Sequence, residues 1–306
     1  MRSTWMTAWF LTAALVTGAA AAGEVAGRLG ELHPGLVPGA LTGAVIGELP
    51  EGVLLKTGSV QVTDKDLQAE VDKVPEPLRD QVGKNLPFLL EQLATGKLLL
   101  EAARKDAAGR KIDLAGKLDL EVLRGFFEPV ESRVKVSRAE LQEFHRRNAE
   151  LCGDVPFEKM EKELEQYVLQ QKKEAAVNAV VRDLGRQITI TVSAAWLKAQ
   201  LPLCRDNPVD KARSGGKPAL VDFGGAGCCG PDKMQPVIEA VADKFKDRLT
   251  VLYLEAKAEP VLAARYGINS IPAQLLFDKD GKEVFRHNGL MSEAEILEQV
   301  KAVGIK

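Results

Sequence analysis

The last hundred residues alternate short apolar runs with helical periods, and this alternation limits the architectures open to the chain more than any other property. KPALVDFGG (217–225) is an apolar run of the kind carried by a strand buried on both faces, a helix begins at Pro231 and continues through Lys246, and LTVLYLEA (249–256) is a second central strand. EPVLAARYG (259–267) reads as a short helix. PAQLLFDKDGKEVFRHNG (272–289) reads as two strands around an Asp280-Gly281 turn, and SEAEILEQVKAV (292–303) as an amphipathic helix. Strands and helices in this order predict a sheet covered by helices on both faces.

Ahead of it the texture differs. VLLKTGSVQV (53–62) carries a hairpin signal around Thr57-Gly58, and TDKDLQAEVDKV (63–74) opens a helix with Thr63 as N-cap and Asp66 at the third position. Leucines crowd one broad face of residues 86–107, Ser137 and Glu140 have capping-box spacing, and a long helix is expected from Pro156 to about Arg186, ending near Gly185. ITITV (188–192) alternates β-branched residues and reads as a strand able to pair with the first hairpin. These elements predict one α-rich domain over 52–197. His145, beside Arg146 and Arg147 on a polar helix, is expected to be solvated, while Phe126, Phe127 and Tyr167 are expected to pack.

The first residues carry an export signal. Arg2 is followed by an apolar core, WFLTAALV (9–16), and by small residues (18–24, GAAAAGE) suited to cleavage, so residues 1–22 are read as a signal peptide; an uncleaved anchor is the alternative. Residues 23–51, rich in Gly, Pro and Ala without a sustained period, are read as a linker. A net charge of -2 without charge blocks excludes a general affinity for nucleic acid. The expected location is the periplasm or another exported site, with membrane contact only through an uncleaved signal.

Export lets cysteines pair. The chain has four: Cys152, Cys204, Cys228 and Cys229. A structural bridge between Cys152 and Cys204 would leave the adjacent pair for chemistry; both isolated cysteines remaining free is the alternative. No metal site or cofactor is called for by residue spacing.

Two resemblances follow. The opening GSVQVTDKDLQAEV, the helix LLEQLATGKLLLEAARKD and the closing VSRAELQEFHRRN … PFEKMEKELEQYVLQQKKEAAVNAVVRDL … ITITV resemble the helical chaperone part of SurA-type periplasmic foldases. About six residues (150–155) separate FHRRNA from PFEKM, too few for a prolyl-isomerase insert, so the resemblance implies a peptide-holding role only. Residues 206–306 resemble a thioredoxin domain through LVDF … CGPDKMQPV … RYGINSIPAQLLFDKDGKEVFRHNG. That resemblance makes Cys229 the nucleophile, Gly230-Pro231 the central dipeptide, Pro272 the cis-proline facing the active site, and Asp222 the buried carboxylate of proton transfer. Pro272 has no N–H, which leaves the backbone of Ile271 to pair with an extended peptide.

Two positions depart from the pattern: Cys228 stands in the usual tryptophan place and Asp232 in that of the resolving cysteine. A carboxylate cannot resolve a mixed disulfide. Three chemistries remain: resolution by Cys228 through a strained vicinal disulfide, monothiol exchange at Cys229 with another thiol resolving, and, ranked last, capture of a Cu(I)-like soft ion. A thioredoxin-like fold kept only for binding, a non-catalytic chaperone or scaffold, is the competitor. The expected partners are unfolded or disulfide-bearing exported polypeptides and a thiol reductant or oxidant.

Overall fold

A computed structural model of the chain describes residues 26–147, 155–225 and 234–305. In the N-terminal region five short strands form one sheet: β1 (Ala26–Arg28), β2 (Val45–Gly47), β3 (Val53–Lys56), β4 (Gln61–Thr63) and β5 (Thr191–Ser193), in the order β1-β2-β5-β3-β4. The closing strand does pair with the first hairpin, antiparallel, through Leu55↔Val192 and Lys56↔Thr191. Its other edge carries β2 in parallel register.

This placement corrects the expected linker over 23–51. The segment holds β1, the one-turn helix α1 (Leu29–Leu32), a 3-10 turn (Ala40–Gly43) and β2. Leu29, Leu36, Val37, Ala40, Leu41 and Ala44 are all buried in the same core as Leu54, Leu55 and Val192. Elements of three or four residues are too short to establish a period, so the apolar residues looked unpatterned.

Helices α2 (Asp64–Asp72), α3 (Glu76–Gly83), α4 (Leu86–Gly109), α5 (Asp119–Glu131), α6 (Arg138–Arg147) and α7 (Phe157–Gln187) lie between β4 and β5 in the chain. The Thr63 hydroxyl accepts from the Asp66 N–H, and the Asp66 carboxylate accepts from the Thr63 N–H at 2.8 Å, closing the expected capping box at α2. On α4, Leu90, Ala94 and Leu98 recur every four residues and are buried in the sheet-side core. The start of α7 packs through Phe157, Leu164 and Val168 against Leu141 of α6. His145 is half-buried: its Nε2 lies 3.0 Å from the Val155 carbonyl oxygen in an exposed contact, and its ring meets Phe157 edge-on.

Gly185 does not end α7. It lies inside the helix, where a Cβ would run into the Ala40 carbonyl oxygen, so its role is close approach to the 3-10 turn. Helix α8 (Ala194–Arg205) then runs through residue 197, the expected end of the helical domain. Cys204, near its end, is a buried free thiol whose side chain belongs to the core of the N-terminal region; Cys152, its expected partner, lies outside the described residues.

The C-terminal domain contains α9 (Pro208–Arg213), β6 (Ala219–Gly224), α10 (Met234–Phe245), β7 (Thr250–Glu255), α11 (Pro260–Arg265), β8 (Ala273–Phe277), β9 (Glu283–Asn288) and α12 (Glu293–Ala302). The sheet order is β7-β6-β8-β9, parallel between β6 and β7 and antiparallel elsewhere. Its faces are covered separately. Val221, Phe223, Leu275 and Phe277 pack with α9 and α11, whereas Leu220 and Leu276 pack with α10 and α12.

One arginine ties the two regions together. Arg265 is 2% exposed and donates to the Gly35 carbonyl (2.9 Å), the Asn85 Oδ1 (3.0 Å), the Cys204 carbonyl (2.8 Å) and the Asp210 Oδ2 (2.6 Å). The Asp210 carboxylate also accepts from the Tyr266 hydroxyl at 2.9 Å and the Asn207 amide at 2.6 Å. A planar fork with five donors can serve acceptors on several elements at once. No helix among the described residues is long and apolar enough to cross a membrane.

Candidate functional site

Strand β6 delivers the site. Its residues alternate faces, so Asp222 shares with Leu220 the face covered by α10, the helix that follows the cysteine segment. Asp222 is fully buried, and its Oδ1 accepts from the Gln274 Nε2 at 2.6 Å. The two residues are direct cross-strand partners, and the register extends the row to Tyr253 on β7 and His287 on β9. A polar row therefore crosses all four strands of the sheet. Burial lowers the pKa of His287, only partly offset by its contact with the Leu290 carbonyl, which favours a neutral imidazole.

The Ile271-Pro272 peptide is cis. The Pro272 carbonyl accepts from the Gly289 N–H at 2.8 Å, anchoring the turn to the end of β9. The Ile271 side chain lies against Gly225, so closely that a Cβ there would be 3.2 Å from its Cδ1. Gly225 is the last described residue before the cysteine segment, and Met234, 1% exposed, is the first after it. Three of the expected parts thus lie on or next to adjacent strands, Asp222 within β6 and Ile271 and Pro272 directly before β8. Cys228, Cys229, Gly230, Pro231 and Asp232 lie outside the described residues, as does Cys152.

The family model for the thioredoxin-like domain matches residues 206–304. A thioredoxin from Chlamydia muridarum is 42% identical over 97 residues, which are 31% of this chain and 90% of that protein. The chain belongs to the thioredoxin family. A thioredoxin-like protein from Synechocystis sp. is 38% identical over 86 residues, 28% of this chain and 77% of the relative, and a second from the same organism is 35% identical over 86 residues, 28% and 80%. Each match spans under a third of the chain, so the thioredoxin-family assignment describes the C-terminal domain and leaves the helix-rich N-terminal region to be read from its own structure.

Sequence reasoning passed over several polar residues that the fold buries. Gln274, in the strand AQLLF, is fully buried beside Asp222. Glu91, within the leucine stripe of α4, is 1% exposed. Its Oε1 accepts from the N–H groups of Gly39 at 2.8 Å and Leu41 at 3.0 Å, holding the 3-10 turn. Burial raises its pKa to about 7 against the pull of those two donors. The available signal in both cases was one polar residue at a position the apolar pattern assigns to the core. Cys204, the described thiol, is the opposite of an activated sulfur: burial pushes its pKa up to about 11. Among the described residues no group of three or more His, Cys, Asp or Glu side chains could hold a metal ion.

Proposed function

We propose that this protein carries out thiol–disulfide exchange on exported polypeptides, with Cys229 as the attacking sulfur. The observation carrying the proposal is a fully buried Asp222 on β6 together with a cis Ile271-Pro272 turn whose Ile271 lies against Gly225, the residue before the cysteine segment in the chain, in a chain of the thioredoxin family. In the first step the Cys229 thiolate attacks a client disulfide; a Cys229–client S–S bond forms, the client S–S bond breaks, and the departing client sulfur leaves as a thiolate that takes up a proton. In the second step the Cys228 thiolate attacks the Cys229 sulfur, releasing the client as a dithiol and leaving a vicinal disulfide. A thiol reductant returns that disulfide to two thiols. When the client's own thiolate attacks first, the client disulfide is isomerised with no net electron transfer.

Asp222 is assigned the proton exchange with this sulfur centre, held by Gln274. The helix-rich region is assigned to holding the client, in the manner of a SurA-like chaperone part, and residues 1–22 to export. Asp232 favours one competing reading, a scaffold that binds without turnover, because the ordinary resolving thiol is missing. Single-turnover reduction of a disulfide-bearing unfolded polypeptide separates the two. Exchange requires that Cys229→Ser abolish mixed-disulfide formation while Cys228→Ser lets the mixed disulfide accumulate; indifference of both steps to Cys229→Ser leaves the scaffold.

A further inference from the structure

Between the middle of α7 and the C-terminal domain runs a cleft whose wall on that side includes Asn269 and Ser270, immediately before the cis peptide. Two adjoining hollows of about 480 and 560 Å³ share Asn178 and Arg182 of α7 with Asn269 and Arg286 of the C-terminal domain. The inner hollow is lined on one side by Phe88, Glu91, Gln92 and Thr95 of α4, and two of these residues hold polar atoms for which the fold gives no use. Glu91 Oε2 and Thr95 Oγ1, one helical turn apart, are both buried without a hydrogen-bond partner. Capping of the 3-10 turn explains Glu91 Oε1, which holds both backbone N–H groups, but not Oε2. A valine at 95 would fill the same space without leaving a hydroxyl unsatisfied.

The remaining lining limits what would sit there. Arg182, on the rim, is exposed and has no hydrogen-bond or ion-pair partner among the described residues, so the hollow offers acceptors on one wall and a donor fork on another. Gln92, Asn178 and Asn269 can each donate and accept. A simple cation would face Arg182, and a simple anion would face Glu91. A group with N–H on one side and C=O on the other satisfies both walls, and the peptide unit is that group.

We propose that this cleft seats the extended backbone of a client polypeptide, its N–H groups donating to Glu91 Oε2 and Thr95 Oγ1 and its carbonyls accepting from Arg182 and the side-chain amides. Recognition of this kind reads main chain and tolerates any sequence, as strand addition does. The cleft's wall on the C-terminal side, Asn269 and Ser270, directly precedes in the chain the cis Ile271-Pro272 peptide, whose Ile271 lies against Gly225. The client's identity as a polypeptide rests on the exchange reading above; the seat itself does not require a working thiol.

The test uses an unfolded, carboxymethylated polypeptide with every cysteine blocked, its affinity for the full-length protein followed by fluorescence anisotropy. Glu91→Gln keeps an acceptor for the 3-10 turn and places an N–H against the incoming donors; Thr95→Val removes the second acceptor at nearly constant volume. Each is expected to weaken binding about tenfold, the worth of one buried hydrogen bond. Thr95→Val is expected to unfold at the same denaturant concentration as wild type or higher, since it removes an unsatisfied hydroxyl. Cys229→Ser is expected to bind as wild type does, which separates this seat from the exchange chemistry. Unchanged affinity in both Glu91→Gln and Thr95→Val, with folded variants, overturns the proposal whatever the exchange assay shows.

Discussion

Replacing Arg265 by methionine removes the tie between the two regions while keeping an unbranched chain of similar reach. Its side chain is 1% exposed and that of its ion-pair partner Asp210 is 11% exposed, so water cannot take over the lost contacts. The carbonyls of Gly35 and Cys204 and the Asn85 Oδ1 lose this donor. Asp210 retains the Tyr266 hydroxyl, the Asn207 amide and the more distant Arg213 at 3.8 Å. Removing one partner of a buried ion pair costs about 3–5 kcal/mol, and the retained donors to Asp210 place this case toward the lower end. Arg265→Lys restores the charge but not the fork, since one ammonium cannot reach acceptors on four elements, and should recover only part of the loss. Urea unfolding gives the magnitude, and alkylation of Cys204 gives the location: its buried thiol should react well below the global transition in the methionine variant and only with it in wild type. A loss under about 1 kcal/mol with Cys204 still protected would refute the assignment of Arg265 as the tie.

Gly185→Ala drives a methyl into the Ala40 carbonyl, and moving α7 off the 3-10 turn should cost about 1–3 kcal/mol by thermal unfolding; a neutral outcome would show that the close approach is not required. Glu91 binds its proton more tightly when folded than when unfolded, so stability should fall as pH rises from about 4.5 to about 7 and level off above it. The difference between wild type and Glu91→Gln across that window should be on the order of 3 kcal/mol, and parallel pH profiles would contradict it.

The C-terminal fold was legible because β6 and β8 are buried on both faces and α9, α11 and α12 each have a cap or a proline at the start, so pattern and punctuation agree. Asp222 and Pro272 were singled out by the thioredoxin resemblance, and the structure puts Asp222 on β6 and Pro272 directly before the adjacent strand β8. The capping box at Thr63 and the pairing of β3 with β5 were also legible, the first from local spacing and the second from alternation. What stayed hidden depends on contacts far apart in the chain. Nothing near Leu29 or Val45 announces that β2 will lie beside residues 191–193, and nothing near Arg265 announces acceptors at 35, 85, 204 and 210. Gly185 shows the ambiguity in one residue: near the end of a helical period a glycine reads as a stop, and only the Ala40 carbonyl reveals it as a contact.

Exchange chemistry at sulfur 229 is tested most directly by mass-mapped alkylation of the folded, reduced protein as a function of pH. The expected result is fast modification of Cys229 near neutral pH, with Cys204 untouched because burial holds its thiol protonated up to about pH 11. Modification of Cys229 no faster than that of an unfolded cysteine peptide at every pH would contradict an activated nucleophile in this protein.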